Sequence, residues 1–130
     1  MIELTAREKP LTRLLPALLL FAACFADATA SLTERTEAAM LHIGVRADQS
    51  EKFEKIMDDH YSRATAMFRR EVRTTPADVD KRVPRLLRSI SKDTLKDMSK
   101  VLDAPQMEAF KYALDLEDRR FLQNNGVHEL

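Results

Sequence analysis

The chain has 130 residues with 21 basic and 21 acidic side chains, and its only cysteine is Cys24. This length suits a single domain, and one cysteine excludes a framework of internal disulfides. The balanced charge disfavours nucleic-acid binding.

The first thirty residues have the layout of a secretory signal peptide. Arg7, Lys9 and Arg13 precede an apolar run over residues 14–25, and Ala28-Thr29-Ala30 supplies the small residues of a cleavage site. The run is too short to span a bilayer stably. We therefore predict a signal peptide over residues 1–30, export to the periplasm and a mature domain over residues 31–130.

A lipoprotein is the alternative fate of this leader. Phe21-Ala22-Ala23-Cys24 resembles a lipobox, in which Cys24 would be acylated and become the new N-terminus. Phe21 departs from the leucine that is usual at that position. Contact with a membrane is expected only if Cys24 is lipidated.

Charge is unevenly distributed along the mature domain, although its total is zero. Residues 31–62 carry four basic and seven acidic groups, residues 63–100 carry eleven and five, and residues 101–130 carry three and six. This acid–base–acid order suits antiparallel self-pairing, a basic central surface that attracts acidic partners, or ordinary solvated helix faces.

Two helices are predicted in the first half of the mature domain. Ser31 begins a capping-box pattern, and the helix should run to about His42 and stop at Gly44. A second, long helix should span about residues 47–73, because its apolar residues recur at a 3–4 spacing for five turns.

Two further helical regions complete an all-α fold of four amphipathic helices. Thr75 and Pro76 should begin a region that reaches about Val101, with a kink or break near Val83 because Pro84 interrupts it. Asp103 should cap the fourth helix, which stops at 124–126 and leaves the last four residues frayed.

Two of the predicted helix starts share a motif. An aliphatic residue, three intervening positions and a glutamine occur as Val45 to Gln49 and again as Leu102 to Gln106, with the glutamines 57 positions apart. A phenylalanine follows each glutamine four residues later. In the second copy Asp103 caps the helix, and the Gln106 side chain can reach back to the N–H of the cap.

This motif resembles the LTxxQ repeats of the Spy/CpxP family of periplasmic chaperone and envelope-stress proteins. The resemblance covers about residues 41–122. Arg46 and Asp103 stand where that family has threonine. Aspartate still caps a helix well but arginine does not, so the first copy is degenerate.

The resemblance implies a thin, curved, four-helix hairpin that often forms a homodimer of antiparallel chains. Members similar to Spy are ATP-independent chaperones that hold unfolded or folding client proteins on a surface of basic and apolar residues. Members similar to CpxP also restrain an envelope-stress sensor kinase. The candidate client-binding residues here are Arg69, Arg70, Arg73, Arg85, Arg88 and Met67.

Other functions receive little support from the sequence. His42 and His60 have no carboxylate or second histidine three or four residues away, and His128 lies near the C-terminus, so no metal site or cofactor is predicted. No residues form a recognisable nucleophile–base pair, and we expect no enzyme activity. A stress or heavy-metal sensor that acts through a membrane-sensor partner is the alternative function.

Overall fold

Four α-helices and one 3₁₀ turn occupy residues 31–128, the part of the chain that the computed structural model describes. Helix α1 covers Leu32–His42, α2 covers Ala47–Thr74, α3 covers Val79–Met98 and α4 covers Ala104–Asn124, with the 3₁₀ turn at Pro76–Asp78. The predicted all-α class with four helices is confirmed. The predicted signal peptide, its cleavage site and Cys24 lie outside the described residues, and the curved hairpin stays a prediction.

The helices pack in two close pairs. Helix α2 lies along α3 and α1 lies along α4, while α3 also contacts α4. Helices α2 and α4 meet through aromatic side chains that pack edge to face: the ring centres of Phe53 and Phe110 are 5.9 Å apart, and those of Phe68 and Phe121 are 6.1 Å apart. None of the described helices has an apolar stretch long enough to cross a bilayer.

Apolar side chains collect in two clusters along the length of α2. The first surrounds the motif-bearing helix starts and contains Ile43, Met57, Met98, Leu102 and Phe110. The second lies where the other half of α2 meets α3 and the end of α4, and it contains Ala64, Met67, Val83, Leu87, Ile90, Leu122 and Val127. The apolar stripes at helical spacing thus supply both clusters.

Glycines end two of the helices. Gly44, after α1, has φ +68°, and Gly126, after α4, has φ +69°. The N–H groups of Gly126 and Val127 donate to the carbonyls of Gln123 and Leu122, a Schellman motif. Val127 is only 5% exposed and packs in the second cluster, so the prediction of a frayed end is wrong at this residue.

Pro84 does not break α3, so of the two outcomes predicted near Val83, a kink or a break, the break is wrong. The helix is continuous from Val79 to Met98, and Pro84 lies buried within it. Proline removes the hydrogen bond to the carbonyl four residues earlier, which here belongs to Asp80 in the first turn. The loss is confined to the first turn of the helix, and the turns that follow remain helical. The helix also stops three residues before the predicted Val101.

Phe110 should be the most costly aromatic residue to truncate, because its side chain is fully buried in the first cluster. We expect Phe110→Ala to lower the free energy of unfolding by about 3–5 kcal/mol, measured by urea unfolding followed by circular dichroism. Tyr112→Ala, at a 56% exposed position of the same helix, is the control and should change the value by less than about 0.5 kcal/mol. Equal effects of the two substitutions would contradict the assigned core.

Candidate binding surface and buried polar clusters

Gln49 and Gln106, the two motif glutamines, contact each other in the interior. Their side chains are 4% and 8% exposed. Nε2 of Gln49 donates to Oε1 of Gln106 at 3.0 Å, and Nε2 of Gln106 donates to Oε1 of Gln49 at 2.9 Å. The repeated motif therefore joins two helix starts that are 57 residues apart in sequence.

Each amide also binds the backbone of both turns. Nε2 of Gln49 donates to the Val101 carbonyl, and Nε2 of Gln106 donates to the Gly44 carbonyl, both at 3.0 Å. The two Oε1 atoms each accept a backbone N–H at 3.0 Å, from Arg46 and Asp103 respectively. Every donor and acceptor of both amides is thereby used, and equivalent partners are again 57 positions apart.

The N-caps of α2 and α4 differ because Arg46 is the N-cap residue of α2 and Asp103 that of α4. Asp103 Oδ1 accepts the Gln106 N–H at 3.0 Å, which completes the capping box of α4. Arg46 has only donors in its side chain and cannot do the same for α2. Its guanidinium instead lies 3.5 Å from Asp103 and 3.3 Å from Asp48. The aliphatic residues of the motif pack in the first cluster, with Leu102 buried and Val45 half-buried.

A second polar cluster joins α2, α3 and α4 around His60, which is 2% exposed. Its Nδ1 lies 2.8 Å from Thr94 Oγ1, and its Nε2 lies 3.0 Å from Asp118 Oδ1. Ser91 Oγ donates to the other carboxylate oxygen of Asp118. Both ring nitrogens therefore have partners. This arrangement orients the carboxylate between a serine and a histidine, and its place between three helices fits a structural role.

The sequence did not indicate this cluster. His60 follows the apolar spacing of α2, but Thr94 and Asp118 lie 34 and 58 residues further along the chain. Next to the cluster, burial and the negative charge of Glu117 raise the pKa of Tyr61 well above its ordinary value. Glu117 is itself buried and accepts a hydrogen bond from Arg120 at 2.6 Å.

A third polar cluster closes the turn between α2 and α3. The buried carboxylate of Glu71 accepts hydrogen bonds from Arg82 Nε at 2.7 Å and from Thr75 Oγ1 at 2.8 Å. These two donors hold the pKa of Glu71 below its ordinary value. Thr75 precedes the 3₁₀ turn at Pro76–Asp78, which agrees with its predicted position, but its hydroxyl binds Glu71 and does not cap the turn.

The predicted client-binding residues do not share one surface. Met67 is 4% exposed and belongs to the second cluster, so its side chain is not available at the surface. Arg70 lies near Glu71 at 3.6 Å and borders a cleft between α2 and α3. The exposed residues Arg69 and Arg73 lie on α2, whereas the exposed residues Arg85 and Arg88 lie on α3.

The outward side of the C-terminal half of α2 combines basic and apolar side chains. Tyr61 is 38% exposed and Val72 is 44% exposed, and Arg69 borders a depression together with Tyr61. The spacing of a helix places these residues within about one third of its circumference. We call this surface the mixed face; it consists of Tyr61, Thr65, Arg69, Val72 and Arg73.

Within residues 31–128, no group of three histidine, cysteine or acidic side chains is placed to hold a metal ion. Comparison with protein-family models, curated proteins and solved structures found no match. Membership of the Spy/CpxP family therefore stays a prediction that rests on the motif.

The paired glutamines should be energetically coupled. We expect Gln49→Leu and Gln106→Leu each to lower the free energy of unfolding by about 2–3 kcal/mol, because each leaves the other amide with unmade hydrogen bonds. The double variant should lose about 1–2 kcal/mol less than the sum of the two. Urea unfolding of the four proteins gives the coupling.

Gln123→Leu is the matched control, since Gln123 is an exposed glutamine of α4. It should change stability by less than about 0.5 kcal/mol. Strictly additive effects of Gln49→Leu and Gln106→Leu would contradict the reciprocal pair.

Glu71 should make stability depend on pH. Its pKa is lower in the folded protein than in the unfolded chain, so its contribution is present above the ordinary glutamate pKa of about 4.3 and is lost as pH falls through the folded value. The difference in free energy of unfolding between the native protein and Glu71→Gln should be largest near pH 7 and shrink towards pH 3. A difference that stays constant over this range would refute the assignment.

Proposed function

We propose that residues 31–130 form a periplasmic, ATP-independent chaperone-like protein that holds unfolded or stress-damaged client proteins. The observation that supports this proposal is the mixed face, where Arg69 and Arg73 stand beside the exposed apolar side chains of Tyr61 and Val72. The resemblance of the motif to the Spy/CpxP family supports the same function.

The chemistry of the mixed face suits a partner without fixed structure. Neither Arg69 nor Arg73 has an ion-pair partner among the described residues, so both are free to attract acidic segments over distances of about 10 Å. Tyr61 and Val72 then offer apolar contact of small area. Binding through so little apolar surface is weak, and a weakly bound client can leave without ATP.

Self-association is part of this proposal. A domain of about one hundred residues buries a modest core, and pairing with a second copy would bury more. The acid–base–acid order lets an acidic end segment of one copy face the basic central segment of another when the two copies are displaced along each other. A homodimer would also double the number of client-binding faces and so raise the avidity for an extended chain.

Suppression of aggregation tests the function. Malate dehydrogenase unfolded in guanidinium chloride is diluted into buffer without ATP, and light scattering is followed with and without one equivalent of residues 31–130. We expect scattering to fall by at least half with the native sequence. The double variant Arg69→Glu/Arg73→Glu should lose most of this effect, because it removes the attraction at the mixed face.

Lys52→Glu/Lys55→Glu is the matched control: it makes the same change of charge at exposed positions in the N-terminal half of α2. It should suppress aggregation as well as the native protein does. Unchanged scattering with the native protein would refute the chaperone proposal. In that case, recovery of one defined periplasmic complex after crosslinking would favour the stress-sensor alternative.

A further inference from the structure

Helix α3 presents a line of basic side chains away from the core. Its buried side chains include Val83, Leu87, Ile90, Thr94 and Met98. On the opposite side, at spacings of three and four residues, the helix carries five exposed cations, which we call the basic stripe: Lys81, Arg85, Arg88, Lys92 and Lys96. At 1.5 Å per residue the stripe is about 22 Å long.

The basic stripe is not neutralised by the protein itself. None of its five side chains has an ion-pair partner among the described residues. The acidic residues of α3 lie off the stripe and are engaged elsewhere: Asp93 binds Arg63 at 2.9 Å, Asp97 lies 3.9 Å from Lys100, and Asp80 accepts the His128 N–H at 3.1 Å. The stripe is therefore a positively charged surface on a molecule whose net charge is zero.

We propose that the basic stripe binds the surface of an anionic phospholipid bilayer. Its five side chains project from the same side of one rigid helix, so all of them can reach a flat surface together. Of the two half-buried leucines of α3, Leu95 lies at the border of the stripe and Leu86 lies outside it. Recognition is therefore by charge, and the headgroups of a fluid bilayer can move to meet cations at any spacing.

A folded protein partner fits these observations less well. Stable protein interfaces depend on a few buried aromatic or apolar anchors and on hydrogen bonds of fixed geometry. The stripe supplies long, flexible cations without such an anchor. The stripe lies on α3 and the mixed face lies on α2. Failure of the membrane proposal would therefore leave the chaperone proposal unaffected, and the reverse also holds.

Co-sedimentation with lipid vesicles tests the proposal. Residues 31–130 are used, because the described helices, both apolar clusters and the three polar clusters lie within them, and circular dichroism checks that each variant is helical. We expect binding to phosphatidylglycerol vesicles at 50 mM salt, no binding to phosphatidylcholine vesicles, and loss of binding at 0.5 M salt, where screening is strong.

Neutralisation of the stripe should weaken this binding steeply. Each cation near an anionic surface contributes about fivefold in affinity, so Arg85→Gln/Arg88→Gln/Lys92→Gln should bind phosphatidylglycerol vesicles about a hundredfold more weakly. The control Arg35→Gln/Lys52→Gln/Lys55→Gln removes the same charge from exposed positions outside α3 that have no ion-pair partner within residues 31–128, and it should bind like the native protein.

Three results would overturn the proposal: no sedimentation with phosphatidylglycerol at 50 mM salt, equal weakening by the stripe variant and the control, or equal binding to both lipids. Competition gives a further discrimination. Binding to poly-glutamate that is stronger than binding to phosphatidylglycerol vesicles at the same charge concentration would indicate an acidic polypeptide partner and would overturn the membrane assignment.

Discussion

The structure depends first on the reciprocal hydrogen bonds between Gln49 and Gln106. A buried amide is costly unless all its donors and acceptors are bonded, and here each amide satisfies the other together with both backbone turns. The start of α2 and the start of α4 are therefore held at one relative position. The edge-to-face contact of Phe53 and Phe110, one turn further along each helix, continues the same local symmetry in apolar form.

The other two polar clusters fix the position of α2 against its neighbours at further points along its length. Gln49, His60 and Glu71 are all buried and lie at intervals of eleven residues, which is close to three turns of helix. Each is bonded to a different neighbour: Gln49 to the α4 start, His60 to α3 and α4, and Glu71 to the first turns of α3. Apolar clusters alone tolerate small rotations and shifts of packed helices. Three polar contacts along one helix edge fix its rotation and register together.

Polar groups in the core and cations on the surface have different roles. Inside, Glu71 and Asp118 are bonded to groups of the same chain and define the packing. Outside, the arginines of the mixed face and the cations of the basic stripe have no ion-pair partner within residues 31–128, although the chain has as many acidic as basic residues. Cations without an ion-pair partner add little to folding stability and remain available for binding. The mixed face combines charge with exposed apolar side chains, which is why we propose that it binds unfolded chains, whereas the stripe offers charge alone.

The sequence by itself determined the helices, because 3–4 apolar spacing, capping residues and glycines act within a few positions. It placed the ends of α1, α2 and α4 well, and it identified Gln49 and Gln106 as a repeated pair. Only the tertiary structure decided that the two glutamines bind each other, that Met67 is core, and that His60 meets Asp118. These outcomes depend on how helices distant in the sequence cross and rotate, and local pattern carries no information on crossing. Pro84 shows the same limit, since packing of α3 outweighed a local signal for a break.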